Sequence, residues 1–239
     1  MRTRTLYAIA AIAALLFVLL IIAVRTVDVA EIGPNKTEIG LSTTNAAFRD
    51  DFSVNYVLYY ITEWLGVAAV LAAGSFAVLG LYQLIKRKSI KKVDLNILTL
   101  GVLFIVTIII YVFFEKVAVN YRPVILPGET EPEASFPSSH TVLICVVMGS
   151  INYQLRHYGY IDNEPLTKLT TKACTLIALF TVIGRAFSGV HWFTDVVGGV
   201  LISAALLALY AAVTRTLEKR RRKKRRAARP PVNHSIQSV

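Results

Sequence analysis

A few short segments of this chain hold residue types able to do chemistry on an anion. Pro137-Ser138-Ser139-His140 precedes a long apolar run. Pro sets its own φ for a first helical turn, and a Ser there can cap the turn's free N–H groups. Those groups, with the positive end of the helix dipole, form a seat for an anion. His140 at its edge can give or take a proton near neutral pH. Further on, Arg185, His191 and Asp195 lie close together in sequence. If a helix begins near His191, the i, i+4 spacing lets the Asp195 carboxylate reach the imidazole. That contact fixes the tautomer and leaves the other ring nitrogen free as a nucleophile. Arg122 and Arg185 offer forked donors for phosphate oxygens, and Lys116 adds a point charge. A phosphoryl group held by Arg122, Arg185, Lys116 and the helix-start N–H groups near Ser138 and Ser139 would be attacked by His191. The cations would stabilise its equatorial oxygens. His140 would protonate the leaving oxygen and then assist water. No metal-ligand cluster stands out in the sequence, and this chemistry calls for neither metal nor cofactor.

These residues need elements to bring them together, and composition says what kind. The chain of 239 residues is 55% hydrophobic with a mean hydropathy of +0.56, yet carries a net charge of +11. Apolar runs near the roughly 20 residues that cross a bilayer, separated by basic groups, indicate an integral membrane protein rather than a soluble nucleic-acid binder. We expect an all-α polytopic fold with six transmembrane helices, at about Tyr7–Val24, Trp64–Ile85, Leu95–Phe114, Thr141–Tyr153, Ala173–Val190 and Val196–Val213. A short amphipathic piece is expected around Phe48 to Tyr60. The expected membrane domain spans 1–215, followed by a basic, disordered tail over 216–239. Basic groups at the N-terminus, at Lys86-Arg87-Lys88, around Lys168 and in the tail assign one face as cytoplasmic, with both termini on it. The same count puts Lys116, Arg122, His140, Arg185, His191 and Asp195 together on the extracytoplasmic side of the cell membrane.

Lys116, Arg122-Pro123, Pro137-Ser138-Ser139-His140 and Arg185, His191 and Asp195 in their spacing resemble the three motifs of the type 2 phosphatidic acid phosphatase superfamily. The resemblance covers Lys116 to Asp195. It implies a six-helix membrane bundle, a phosphohistidine intermediate and metal-independent hydrolysis of a lipid phosphate. The chain departs from the family pattern at three places. Lys116 lies one residue closer to Arg122 than the family spacing, with Glu115 in the lysine register. Ser139 replaces a Gly, and Gly184 replaces a Ser.

Other groups read as structural. Cys145 and Cys174 lie in apolar runs and fit no zinc or redox spacing. Trp192 and Phe193 are expected as interfacial aromatics, and Glu129, Glu131 and Glu133 as a solvated loop face. Asn35-Lys36-Thr37 is a glycosylation sequon of a kind that often arises by chance. The tail is expected to contact anionic lipid headgroups. The partners are therefore a lipid phosphate substrate and the bilayer, with no nucleic acid. Substrate candidates are polyprenyl diphosphate, phosphatidylglycerol phosphate and phosphatidate. The alternatives are a lipid phosphotransferase using the same residues and a non-catalytic lipid-phosphate binder. A soluble vanadate-dependent haloperoxidase shares such motifs, but the six apolar spans argue against it.

Overall fold

The computed structural model describes residues 1–50, 54–159 and 161–227. Among the described residues the regular structure is helical. The α-helices are α1 (Thr3–Thr26), α2 (Ser42–Asp50), α3 (Tyr56–Arg87), α4 (Leu95–Lys116), α5 (Ser139–Tyr158), α6 (Glu164–Phe187) and α7 (Phe193–Ala227). Five of them, α1, α3, α4, α6 and α7, are long and apolar enough to cross a membrane.

The expected fourth span is more polar than the others. α5 has 20 residues, about 30 Å at 1.5 Å per residue, but it carries Ser139, His140, Ser150, Asn152, Gln154, Arg156 and His157. It tolerates them because it packs against α3, α4, α6 and α7. Thr141, Ser150 and Gln154 are fully buried in it. The Asn96 amide donates to Gln154 Oε1 at 2.9 Å, and Gln154 Nε2 donates to the Tyr210 hydroxyl at 2.7 Å, joining α4, α5 and α7. Thr214 and Thr99 meet at 2.9 Å on the same seam. Such interhelical hydrogen bonds hold helices where lipid supplies no hydrophobic force between them. The outer helices turn large apolar side chains outward, among them Leu15, Leu71, Ile105, Ile108 and Leu176.

The long helices run up and down, which gathers the chain's chemistry at one end. At the basic end, Arg215 donates to the Met1 carbonyl and lies 2.7 Å from His157 Nε2. Arg87 and Lys92 sit in the same basin as Arg221, Arg222 and Arg225. At the opposite end Arg25 donates to the Ala118 carbonyl at 2.6 Å, next to the loop that carries Arg122.

Boundaries differ from expectation where capping overrides hydropathy. α6 starts at Glu164, nine residues before its apolar stretch, because the Asn163 side chain accepts from the Leu166 N–H and Pro165 occupies the first turn. The amphipathic piece expected around Phe48 to Tyr60 lies earlier. α2 starts at Ser42, where Asp28 accepts from the Ser42 hydroxyl and the Thr43 N–H; residues 51–53 lie outside the described ones. α7 continues unbroken through the basic run to Ala227, so residues 216–227 are helical where an unstructured tail was expected; residues 228–239 lie outside the described ones.

Candidate active site

Three backbone contacts bring distant segments together. The loop after α4 doubles back on itself: Arg122 N–H donates to the Glu133 carbonyl and Ser135 N–H to the Asn120 carbonyl, each at 2.9 Å. Ser138 N–H then donates to the Asp195 carbonyl at 3.0 Å, which joins the start of α5 to the start of α7. The crossing is close because α7 presents Gly198 and Gly199 there. A Cβ on Gly199 would lie 2.8 Å from Thr141 Cβ, and one on Gly198 would lie 2.6 Å from the Phe136 ring. Phe136, stacked on Phe17 and edge-on to Phe114, anchors this corner. α2 braces it from outside, with Asn45 hydrogen-bonded to both the hydroxyl and the N–H of Thr194.

His191 precedes α7, and Asp195 lies in its first turn. His191 Nδ1 faces Asp195 Oδ2 at 3.6 Å, both buried. The same carboxylate oxygen accepts the Trp192 N–H at 3.0 Å. On the other side of the ring, Arg122 Nη1 stands 3.3 Å from His191 Nε2. A guanidinium can only donate. Nε2 must therefore carry the lone pair, which puts the ring's hydrogen on Nδ1, toward Asp195. Burial, reinforced by the charges of Arg122 and Arg185, holds the His191 imidazole well below its ordinary value of 6.5, so the ring is neutral at pH 7. The result is an unprotonated Nε2 at the wall of a cavity.

That cavity has a volume of about 740 Å³. One side is polar, with Glu63, Arg122, Glu133, Ser139, His140 and His191; the other is apolar and runs between α3 and α4 past Val70, Ile108, Tyr111 and Phe114. Arg122 is fixed by its Nε donating to Glu133 Oε2 at 2.9 Å. Glu133 is thus an ion-pair partner as well as a partly solvated loop residue. Arg185, on α6, is fully buried and donates from Nη2 to Glu63 Oε1 at 2.6 Å. His140 Nε2 lies 3.1 Å from the other oxygen of the same carboxylate.

The structure brings His140, His191, Asp195, Arg122, Arg185 and Ser139 to one end of the bundle. Ser138 is fully buried at the N-cap of α5, but its hydroxyl accepts from Thr141 Oγ1 at 3.0 Å instead of capping the turn. By position, the backbone N–H groups of Ser139 and His140 have no partner within the helix. Lys116 stands apart: it ends α4, is exposed, and does not line the cavity. Gly184, where the family pattern has Ser, packs on α3, and a Cβ there would lie 2.9 Å from Thr62 Cγ2. Trp192 is 1% exposed, under the Arg49 guanidinium, and donates from Nε1 to the Tyr121 carbonyl. It is therefore a buried brace rather than an interfacial aromatic.

Glu63 is the residue that sequence reasoning missed. It is the only acid between Tyr56 and Arg87. An ionisable side chain inside an apolar helix is a functional signal by default. Starting the second span at Trp64 left Glu63 outside it and hid that signal.

The crystal structure of a transmembrane PAP2-type phosphatidylglycerolphosphate phosphatase from Bacillus subtilis superposes with a TM-score of 0.55. The alignment covers 89% of this chain and 96% of that one, at 19% sequence identity; it shows a shared fold. Comparison with curated proteins gives no match. Residues 96–219, more than half of the chain, match the PAP2 superfamily. They contain Arg122, the segment from Pro137 to His140, and Arg185, His191 and Asp195. The chain belongs to the PAP2 superfamily, whose phosphatases are phosphoric ester hydrolases.

Proposed function

We propose that this chain is a six-span, metal-independent membrane phosphatase. In this reading it hydrolyses a lipid phosphate or diphosphate at the extracytoplasmic face of the cell membrane, with both termini in the cytoplasm. The observation that carries the reading is the placement of the His191 ring, with Nε2 3.3 Å from Arg122 Nη1 and Nδ1 toward the Asp195 carboxylate, at the wall of the cavity that His140 shares.

His191 Nε2 attacks phosphorus, forming a P–N bond as the P–O bond to the lipid breaks. Asp195 steadies the imidazolium that develops, as the acid of a catalytic triad does. Arg122, Arg185 and the N–H groups of Ser139 and His140 hold the equatorial oxygens. His140 gives its proton to the departing oxygen. It then takes one from a water molecule, which splits the phosphohistidine and releases inorganic phosphate. Lys116 contributes no phosphate contact in this scheme.

The apolar side of the cavity, between α3 and α4, suits a lipid chain lying in the bilayer while its headgroup reaches the polar side. Polyprenyl diphosphate, phosphatidylglycerol phosphate and phosphatidate all have that form. The phosphatidylglycerolphosphate activity of the Bacillus subtilis protein makes the second of these the first to try. The test is phosphate release by detergent-purified protein, with EDTA present, from a panel of these lipids. Release that survives EDTA and is blocked by vanadate supports the proposal. Release that stops with EDTA and returns with a divalent cation contradicts it. A protein that binds a lipid phosphate but releases nothing would instead be a non-catalytic binder.

A further inference from the structure

Glu63 occupies the place where an incoming phosphate needs two of its contacts. Its Oε1 takes the Arg185 Nη2 hydrogen bond at 2.6 Å, and its Oε2 lies 3.1 Å from His140 Nε2. Those nitrogens belong to the groups assigned above to a phosphate oxygen and to the leaving oxygen. His140 has no second nitrogen to offer, because Nδ1 is buried without a partner. The ring is pressed onto α3 one turn past Glu63, where a Cβ on Gly66 would lie 2.8 Å from His140 Cδ2. His140 cannot therefore back away from Glu63 in that direction.

Arg185 supplies the other half of the argument. Its Nε and Nη1 are buried without partners while Nη2 is bound to Glu63. A guanidinium presents five N–H donors, so most of its capacity is left unused. A planar carboxylate fills one corner of a seat that a phosphate, with more oxygens and more charge, would fill further. An empty seat would leave the fully buried Arg185 charge uncompensated, which is costly. Glu63 supplies the countercharge from a side chain that lines the cavity and is about a third exposed to it.

We propose that Glu63 is an internal stand-in for the substrate's phosphate. It holds Arg185 and His140 in the empty enzyme, must be displaced for substrate to bind, and returns to help expel inorganic phosphate. Glu63 thereby sets the affinity of the site for phosphoryl groups. This rests on the reading that Arg185 and His140 serve the phosphate.

The test measures binding of inorganic phosphate and of orthovanadate to detergent-purified full-length protein, by calorimetry, for wild type, Glu63→Gln, Glu63→Asp and Arg185→Ala. Glu63→Gln keeps the side chain's shape and removes the competing charge; it is expected to bind both anions about tenfold tighter or more. Glu63→Asp keeps a countercharge for Arg185, which protects folding, but is too short to span both partners. It is expected to tighten binding by a smaller factor and carries the test if Glu63→Gln does not fold. Damage to the fold would weaken binding, so a gain in affinity marks the role. In turnover, Glu63→Gln is expected to lower KM and to be inhibited by lower phosphate concentrations. Binding by wild type that is lost in Arg185→Ala, but is unchanged or weaker in both Glu63 variants, would overturn the stand-in role and leave the phosphatase reading intact. No binding of either anion by wild type would overturn both.

Discussion

His191 Nδ1 and Asp195 Oδ2 face each other at 3.6 Å across the first turn of α7, with both side chains buried and only the His191 ring reaching the cavity wall. That is slightly beyond hydrogen-bond length, and a small rotation of the ring closes it once the imidazole gains positive charge. Asp195→Asn keeps the volume but loses the charge that steadies the imidazolium. We expect kcat to fall by about a thousandfold or more with little change in KM, as for the acid of a catalytic triad. Steady-state kinetics beside thermal unfolding checks this. A fall below tenfold in a folded variant would remove Asp195 from the mechanism.

The pH dependence follows from the burial of His191. In the proposed mechanism the nucleophile is the neutral ring. Burial, then the nearby arginines, depress its pKa below 6.5, so the neutral form survives to lower pH. The acid limb of kcat/KM should lie below pH 6.5. Arg122→Gln removes one of those charges and should move the limb upward. The substrate's own ionisation near pH 6 is common to both enzymes, so the difference between their profiles reads the His191 shift. An identical acid limb in the two would contradict this account of His191.

Arg122 does two things with one planar group: Nε holds Glu133, and Nη1 faces His191 Nε2. Lysine has a single nitrogen and cannot replace both. Arg122→Lys should lower kcat/KM by about a hundredfold, equivalent to ~3 kcal/mol of transition-state stabilisation. Rates near wild type would show that a point charge suffices there.

Lys116 lies at the exposed end of α4, outside the cavity lining. Lys116→Ala should change kcat/KM by less than about threefold, within what a screened surface charge contributes. A tenfold rise in KM would bring Lys116 into the phosphate site.

The spans that the sequence made legible are those whose surroundings are lipid. α1, α3, α4, α6 and α7 have to present apolar side chains to the bilayer, so hydropathy marks them. α5 is surrounded by other helices and pairs its Gln154 internally, so its ends were set too short by hydropathy alone. α2 was misplaced because Asp28, a loop residue distant from it in sequence, sets its start. That His140, Arg185, His191 and Asp195 gather at one end of the bundle was legible from residue type and spacing. Glu133 and Trp192 took their roles from the fold of the loop after α4, which no local pattern encodes. Glu63 is a different case, because a single carboxylate in an apolar helix was visible and was lost to a span boundary drawn at Trp64, eight residues after α3 begins at Tyr56.

The most direct test of the account is to look for the covalent intermediate. Purified protein would be mixed with a radiolabelled lipid phosphate, quenched within milliseconds in base, which preserves phosphohistidine, and the labelled peptide sequenced. The account predicts label on His191 in wild type and none in His191→Ala. Label on another residue, or phosphate release by His191→Ala at the wild-type rate, would contradict it.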